Sequence, residues 1–316
     1  MKDTVIYLVV PCYNEEKMLP ITQKALSELM NDMISREKIS QKSRMVFVDD
    51  GSKDNTWQII EQYCLSDPLV KGVKLSRNKG HQNALLAGLM TVKAECDAAI
   101  SLDADLQDDI GAIEKMITEY ENGCEIVFGV RSKREKDTLF KRATARGFYK
   151  VMRFMGADII YDHADYRLMS RRALDELENF KEVNLFLRGI VPMIGFKTGT
   201  VLYERGVRTQ GESKYPLKKM IAFAVDGITS LSIKPIRFIT FLGLFILFAS
   251  AAILIYSLVR HFLGHTVWGW TSLMVSIWAI GGLQLFAIGV VGEYVGKIYL
   301  ETKARPKFIV DKYIGN

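Results

Sequence analysis

Cysteine and histidine are both scarce, with four of each in 316 residues. Cys12, Cys64, Cys96 and Cys124 are scattered, without a CxxC pair or metal-ligand spacing. This excludes a disulfide framework and a structural zinc site, and predicts reduced, partly buried thiols. His81 and His163 have no metal-ligand partner three or four residues on, and His261 and His265 fall between two apolar runs, so no histidine is expected as a catalytic group or ligand. Glycine-rich phosphate loops are missing too. Neither GxGxxG nor GxxxxGK[ST] occurs, which argues against a dinucleotide site and a P-loop and leaves acids, backbone and metal to hold any nucleotide. The first ten residues pass through Lys2 and Asp3 into a short strand-like run, so no secretory signal is expected there. An apolar content of 49% excludes general disorder.

Charge is the next absence. Charged residues are spread over the first part of the chain and then nearly vanish, leaving two uncharged runs over about 238–259 and 270–291. Each is long enough to cross a bilayer, so a two-helix membrane hairpin is expected. Lys234 and Arg237 precede it, Lys297, Lys303, Arg305 and Lys307 follow it, and the connection holds only Arg260 and two histidines. The positive-inside rule then puts both flanks in the cytoplasm, with Trp268 and Trp270 at an interface. Over 215–233 apolar residues recur at helical spacing after Lys214, Lys218 and Lys219, the pattern of a helix lying on a membrane surface or of a core-facing helix. The expected layout is a soluble α/β domain over 1–214, an interfacial helix and linker over 215–236, two membrane helices within 237–296, and a cytoplasmic tail over 297–316.

What is present in the first half is a βα alternation. Short apolar runs at Val5–Val10, Met45–Val48, Val70–Leu75, Ala98–Leu102 and Ile126–Val130 read as buried parallel strands, and Leu19–Met33 and Asn55–Tyr63 as helices. Such a doubly wound sheet binds ligands beyond the carboxyl ends of its strands. The polar clusters PCYNEE, DDGS, SRN and DADLQ fall at those ends.

Asp103 and Asp105, one residue apart after a strand, can both turn toward one hard divalent cation, which would neutralise charge on a diphosphate leaving group. Asp50 can accept a hydrogen bond from a base or ribose, or it can belong to an ordinary strand-turn-helix capped by Ser52. Tyr13 can stack on a base and Glu15 can hold a nucleotide hydroxyl. The run Arg131, Lys133, Arg134, Lys136, Lys141, Arg142 and Arg146 either receives anions or is a solvated charged face. It has few interleaved aromatics and matches no nucleic-acid module, so no nucleic acid is expected as a partner.

Taken in order, VPCYNEE, VDDGSKDNT, SRNKG, SLDADLQD, GVRSKR, ADYRLMSRRAL and RTQGESKY, followed by the apolar hairpin and GEYVGKIYLETKARPKFIV, resemble the family 2 glycosyltransferases of the GT-A fold. Within these the chain is most similar to the polyprenyl-phosphate glycosyltransferases, the bactoprenol glucosyl transferases among them. The resemblance implies that Asp50, Pro11, Tyr13 and Glu15 form a nucleotide pocket and that Asp103, Asp105 and Gln107 bind Mg²⁺ or Mn²⁺ and the diphosphate. It implies that Asp165 faces donor sugar and acceptor, with Arg167 beside it, and that Arg131, Arg167 and Ser213 meet the acceptor phosphate. Arg208, Ser213 and Lys214 would close over the phosphates.

The reaction implied is inverting transfer of one hexosyl residue, glucose first and N-acetylglucosamine next, from a UDP-sugar to undecaprenyl phosphate at the bacterial cytoplasmic membrane. A lipid monophosphate, with a second pKa of about 6, needs no strong general base, so Asp165 is expected to orient groups or stabilise charge. A processive polysaccharide synthase would show a QxxRW motif and more spans, and an inactive scaffold would not need the intact aspartates. Gly281, Gly282, Gly289, Gly292 and Gly296 permit close helix approach and suggest a homo-oligomer.

Overall fold

The computed structural model describes residues 3–131, 163–182, 186–204, 234–263 and 269–315. It contains two compact units. One holds every described strand and takes up the chain again at Ala304; the other holds the two long apolar helices.

The strands of the first unit are β1 (Ile6–Cys12), β2 (Arg44–Asp49), β3 (Val70–Leu75), β4 (Ala98–Ser101), β5 (Ile126–Arg131), β6 (His163–Ser170), β7 (Thr198–Tyr203) and β8 (Val310–Ile314). Its helices are α1 (Leu19–Ser35), α2 (Thr56–Ser66), α3 (His81–Val92), α4 (Ala112–Glu121), α5 (Arg171–Glu178) and α6 (Leu187–Met193). The five strands and two helices expected from apolar runs all form, within two or three residues of their expected ends.

Alternation along each strand sorts the core into two layers, because successive side chains of a strand face opposite ways. Ile6, Leu8 and Val10 pack with Leu26, Met30 and Met33 of α1, Ile60 of α2 and Met116 of α4. Tyr7 and Val9 face the other way and pack with Ala84, Leu85 and Leu89 of α3, Leu174 of α5 and Ile190 of α6. All four cysteines are free and buried, as their spacing predicts.

The sheet order is β7-β5-β6-β4-β1-β2-β3-β8. Six strands run parallel, but β6 enters antiparallel between β4 and β5, and β8 pairs antiparallel with β3. The result is a mixed, mainly parallel sheet of the GT-A kind. Residues read in the sequence only as a tail thus close the sheet. Tyr313 of β8 donates its hydroxyl to Glu95 at 2.9 Å, and Glu95 is also held by Lys71 at 2.8 Å and by the Tyr7 hydroxyl at 3.1 Å.

β7 runs parallel to β5 and ends with Tyr203 beside Arg131, at the carboxyl edge of the parallel strands. The returning segment meets the same edge, where Ser76 N–H donates to the Ile309 carbonyl at 3.0 Å just beyond β3.

In the second unit, α7 (Lys234–Phe262) and α8 (Trp270–Thr302) cover both apolar runs. Among the described residues one segment, Ile280–Thr302, is long and apolar enough to cross a membrane by length and composition. The helix α8 runs unbroken through Tyr294 and Tyr299, past the end of the second run read from sequence. The interfacial helix expected over 215–233 lies outside the described residues.

Candidate active site

Every polar cluster singled out in the first half of the sequence lies at the carboxyl edge of the sheet. The parallel registers Cys12 to Asp49, Asp49 to Lys74 and Val9 to Ser101 bring the loops after β1, β2, β3 and β4 side by side. The antiparallel pairing of Ser101 with Arg167 then delivers Asp165 to the same edge.

The loops after β1 and β2 are laced together. Asn14, in the left-handed region at φ 55°, receives Lys53 N–H on its side chain at 2.8 Å, while Glu15 N–H donates to Thr56 at 2.9 Å. Tyr13 remains 41% exposed at the rim, whereas Pro11 lies buried within β1 opposite Val48. Asp50 is buried and accepts N–H groups from Lys79 at 2.7 Å and Gly80 at 2.9 Å, one on each carboxylate oxygen. It therefore anchors the SRNKG loop, an arrangement neither of its two sequence readings included.

Gly51 permits this close approach. It sits at φ +66°, and a Cβ there would come within 2.5 Å of Asn78 N and 2.6 Å of the Arg77 carbonyl carbon. Gly51→Ala is expected to destabilise the protein by about 1–3 kcal/mol through strain and collision with backbone. It should also displace the SRNKG loop, since Arg77 and Asn78 must give way. Thermal unfolding checks the first effect and amide hydrogen exchange of the loop the second.

The acidic loop after β4 is held from below by Thr22 of α1, whose hydroxyl donates to the Ala104 carbonyl at 2.6 Å. Leu106 takes φ +50°, and Gln107 N–H donates to Asp105 Oδ1 at 3.2 Å. Desolvation, then the carboxylates of Asp108, Asp165 and Asp105, push the Asp103 carboxyl up to about 6, with His81 opposing. Crowded carboxylates of this kind favour a cation. Asp103 is 42% open, so an ion can reach it. Among the described residues no three His, Cys, Asp or Glu side chains chelate an ion unaided. Asp103 and Asp105, one residue apart in an open loop, suit Mg²⁺ or Mn²⁺, hard ions that take one or two carboxylates and complete their shell with phosphates and water. Asp103, Asp105 and Gln107 fit such a role.

Next to this acidic group stands a basic one. Asp165 is buried and paired with two guanidiniums: Arg167 Nη2 at 2.6 Å, and Arg188 through Nη2 at 3.0 Å and Nε at 3.3 Å. Burial alone would raise its pKa, but Arg188 and then Arg167, with His81 adding to them, hold the carboxyl well below the usual range. Asp165 is thus a fixed anion and a poor proton acceptor. His81 bridges the two groups, with Nε2 at 3.4 Å from Asp103 and 3.9 Å from Asp165. Arg131 lies 3.5 Å from buried Asp108 and donates to the Tyr203 hydroxyl at 3.3 Å; that hydroxyl donates to Asp108 at 2.6 Å.

The structure therefore brings together Asp50, Asp103, Asp105, Gln107, Arg131, Asp165 and Arg167. Arg208, Ser213 and Lys214, and the basic residues from Lys133 to Arg146, lie outside the described residues. Sequence reasoning missed Arg188, Asp108, Tyr203 and the position of His81. Asp108 adjoins the acidic motif and was the most accessible of these; Arg188 carries no local signal.

The family model described as Glycosyl transferase family 2 matches residues 7–178. The uncharacterized glycosyltransferase YkoT of Bacillus subtilis (strain 168) is 53% identical over 307 residues, 97% of this chain and 91% of the relative. The bactoprenol glucosyl transferase of Shigella phage SfII is 41% identical over 312 residues, 97% of both chains. Among solved structures, mannosyl-3-phosphoglycerate synthase from Rubrobacter xylanophilus is 13% identical with a TM-score of 0.46, covering 72% of this chain and 73% of that one.

Proposed function

The chain belongs to glycosyl transferase family 2, and on that premise we propose that it moves one hexosyl residue, glucose in the first instance, from a UDP-sugar to undecaprenyl phosphate with inversion. The observation that carries this reading is the division of the site into an acidic half, Asp103 and Asp105, and a basic half built on Asp165, Arg167 and Arg188. Such a site suits two anionic substrates, one met through a cation and the other through guanidiniums. Relatives named bactoprenol glucosyl transferase, matched over nearly their whole length, support a lipid-linked acceptor and glucose.

In this reading a phosphate oxygen of the acceptor bonds to the anomeric carbon as that carbon's bond to the UDP oxygen breaks, and UDP departs with the electron pair. No proton needs to move, since a phosphate monoester with a second pKa of about 6 is already largely dianionic. That agrees with an Asp165 held as carboxylate, which orients the guanidiniums and faces the positive charge developing on the sugar. Asp103, Asp105 and Gln107 would hold a Mg²⁺ or Mn²⁺ ion, which would neutralise charge on the departing diphosphate. Tyr13, Glu15, Pro11 and Asp50 shape the nucleotide end.

The membrane part of the proposal rests on chain path. β7, earlier in the chain than α7, and β8, later than α8, belong to one sheet, which supports an even number of bilayer crossings between them. A two-helix hairpin with the catalytic unit and both flanks cytoplasmic satisfies this.

The test is transfer of label from a panel of UDP-sugars into the lipid fraction by detergent-purified protein with undecaprenyl phosphate and Mg²⁺ or Mn²⁺. Label from UDP-glucose alone is expected. Label from UDP-N-acetylglucosamine instead would change the sugar, and repeated addition would favour a processive transferase. No labelled lipid with any donor would overturn the acceptor assignment.

A further inference from the structure

We infer that Arg188 is the guanidinium that receives the acceptor phosphate, with Asp165 and Arg167 as the frame that aims it. This rests on the reading of the acceptor as a phosphate monoester.

Arg167 is the arginine that the sequence pairs with Asp165, but it cannot meet a substrate. It is 2% exposed, with Nη2 on Asp165 and Nη1 donating to the Leu187 carbonyl at 3.2 Å. Arg188 bonds both oxygens of the same carboxylate, and a third of its side chain is open to solvent. Its backbone is set by neighbours. Leu187 is buried, its N–H donates to Gln82 of α3 at 2.9 Å and its carbonyl accepts from Arg167, so the residue before Arg188 is clamped from α3 and β6 at once.

Charge favours an anion at this point. Three guanidiniums, those of Arg131, Arg167 and Arg188, lie against the carboxylates of Asp165 and Asp108. The Arg188 charge is felt at both Arg131 and Arg167, so like charges crowd this half of the site and an anion relieves them. A planar guanidinium fixed side-on by a carboxylate suits the fork geometry of phosphate recognition. The carboxylates of Asp103 and Asp105 keep an uncompensated anion away from the other half, which separates acceptor phosphate from donor diphosphate.

Steady-state kinetics of the full chain in detergent, varying undecaprenyl phosphate and UDP-glucose separately, test this. Arg188→Gln should raise the KM for undecaprenyl phosphate about ten- to a hundred-fold, the loss of a charge-assisted contact, and leave the donor KM and UDP binding within about twofold. Arg188→Lys keeps the charge but not the fork and should recover part of the loss. If Arg188 served only to hold Asp165, Arg188→Gln would lower kcat with both KM values unchanged, and Arg188→Lys would behave alike; that result overturns the inference, as does a rise in donor KM. A wild-type protein that labels no lipid overturns the acceptor reading itself, and this inference with it.

Discussion

Asp105→Ala is expected to abolish sugar transfer, with kcat falling by about three orders of magnitude. Asp105 stands in the loop after β4 where Asp103 is pushed up to about 6 partly by its carboxylate neighbours, and in the proposed reaction a cation held there would neutralise the leaving diphosphate. Several kcal/mol of transition-state stabilisation depend on that charge, and each 1.36 kcal/mol is tenfold in rate. The fold should not suffer. Asp105 is half-buried in a loop, and removing one of several crowded carboxylates relieves repulsion, so the melting temperature without metal should stay level or rise slightly. The second readout is ligand-linked stability. Mn²⁺ with UDP should raise the melting temperature of the wild type, since whatever binds the native state stabilises it, and should fail to do so in the variant. A variant that retains the Mn²⁺-dependent shift would remove Asp105 from the metal site.

Asp165→Asn should cost both activity and stability. The amide keeps one acceptor oxygen but turns an NH₂ toward a guanidinium and removes the charge that balances Arg167, an arginine buried at 2% exposure. Breaking one side of a buried pair costs about 3–5 kcal/mol, which at about 2–4 °C per kcal/mol for a domain of this size is a drop near 10 °C. Its pH dependence follows from the depressed pKa of Asp165. A carboxyl lowered in the folded state contributes its stabilisation in full above the unfolded value of about 4, and loses it only as pH falls through the folded value. The gap between wild type and Asp165→Asn should therefore be flat between about pH 5 and 8 and should narrow only in strong acid. A gap that closes near neutrality would mean that Asp165 is not held as an anion. Transfer should fall by at least a hundredfold at every pH in that range, rather than along an acid limb, because the residue is not a proton acceptor.

Much of the site was legible because the motifs are local. Asp103, Asp105 and Gln107 follow an apolar run that folds as β4, and a bend after a strand sets their directions within five residues. Asp50 was legible as a residue but not in its partners, since the N–H groups it accepts belong to Lys79 and Gly80 at the end of the next βα unit. Arg167 was assigned to substrate from its place beside Asp165. Burial by α6 takes it out of reach, and no pattern within β6 announces α6.

Sequence alone determined the alternation of strands and helices, the placing of the acidic motifs after strands, the free buried cysteines and the long apolar runs. Each depends on periodicity or composition over a short window, where a side chain's direction follows from the backbone it sits on. Tertiary structure decided the rest: the antiparallel insertion of β6 that brings Asp165 to Asp103, the return of β8 to β3 across an intervening membrane-length segment, and the meeting of Arg188 with Asp165. These depend on strand order and register, which are set by how whole layers bury their faces against each other. No local stretch of the chain encodes that outcome.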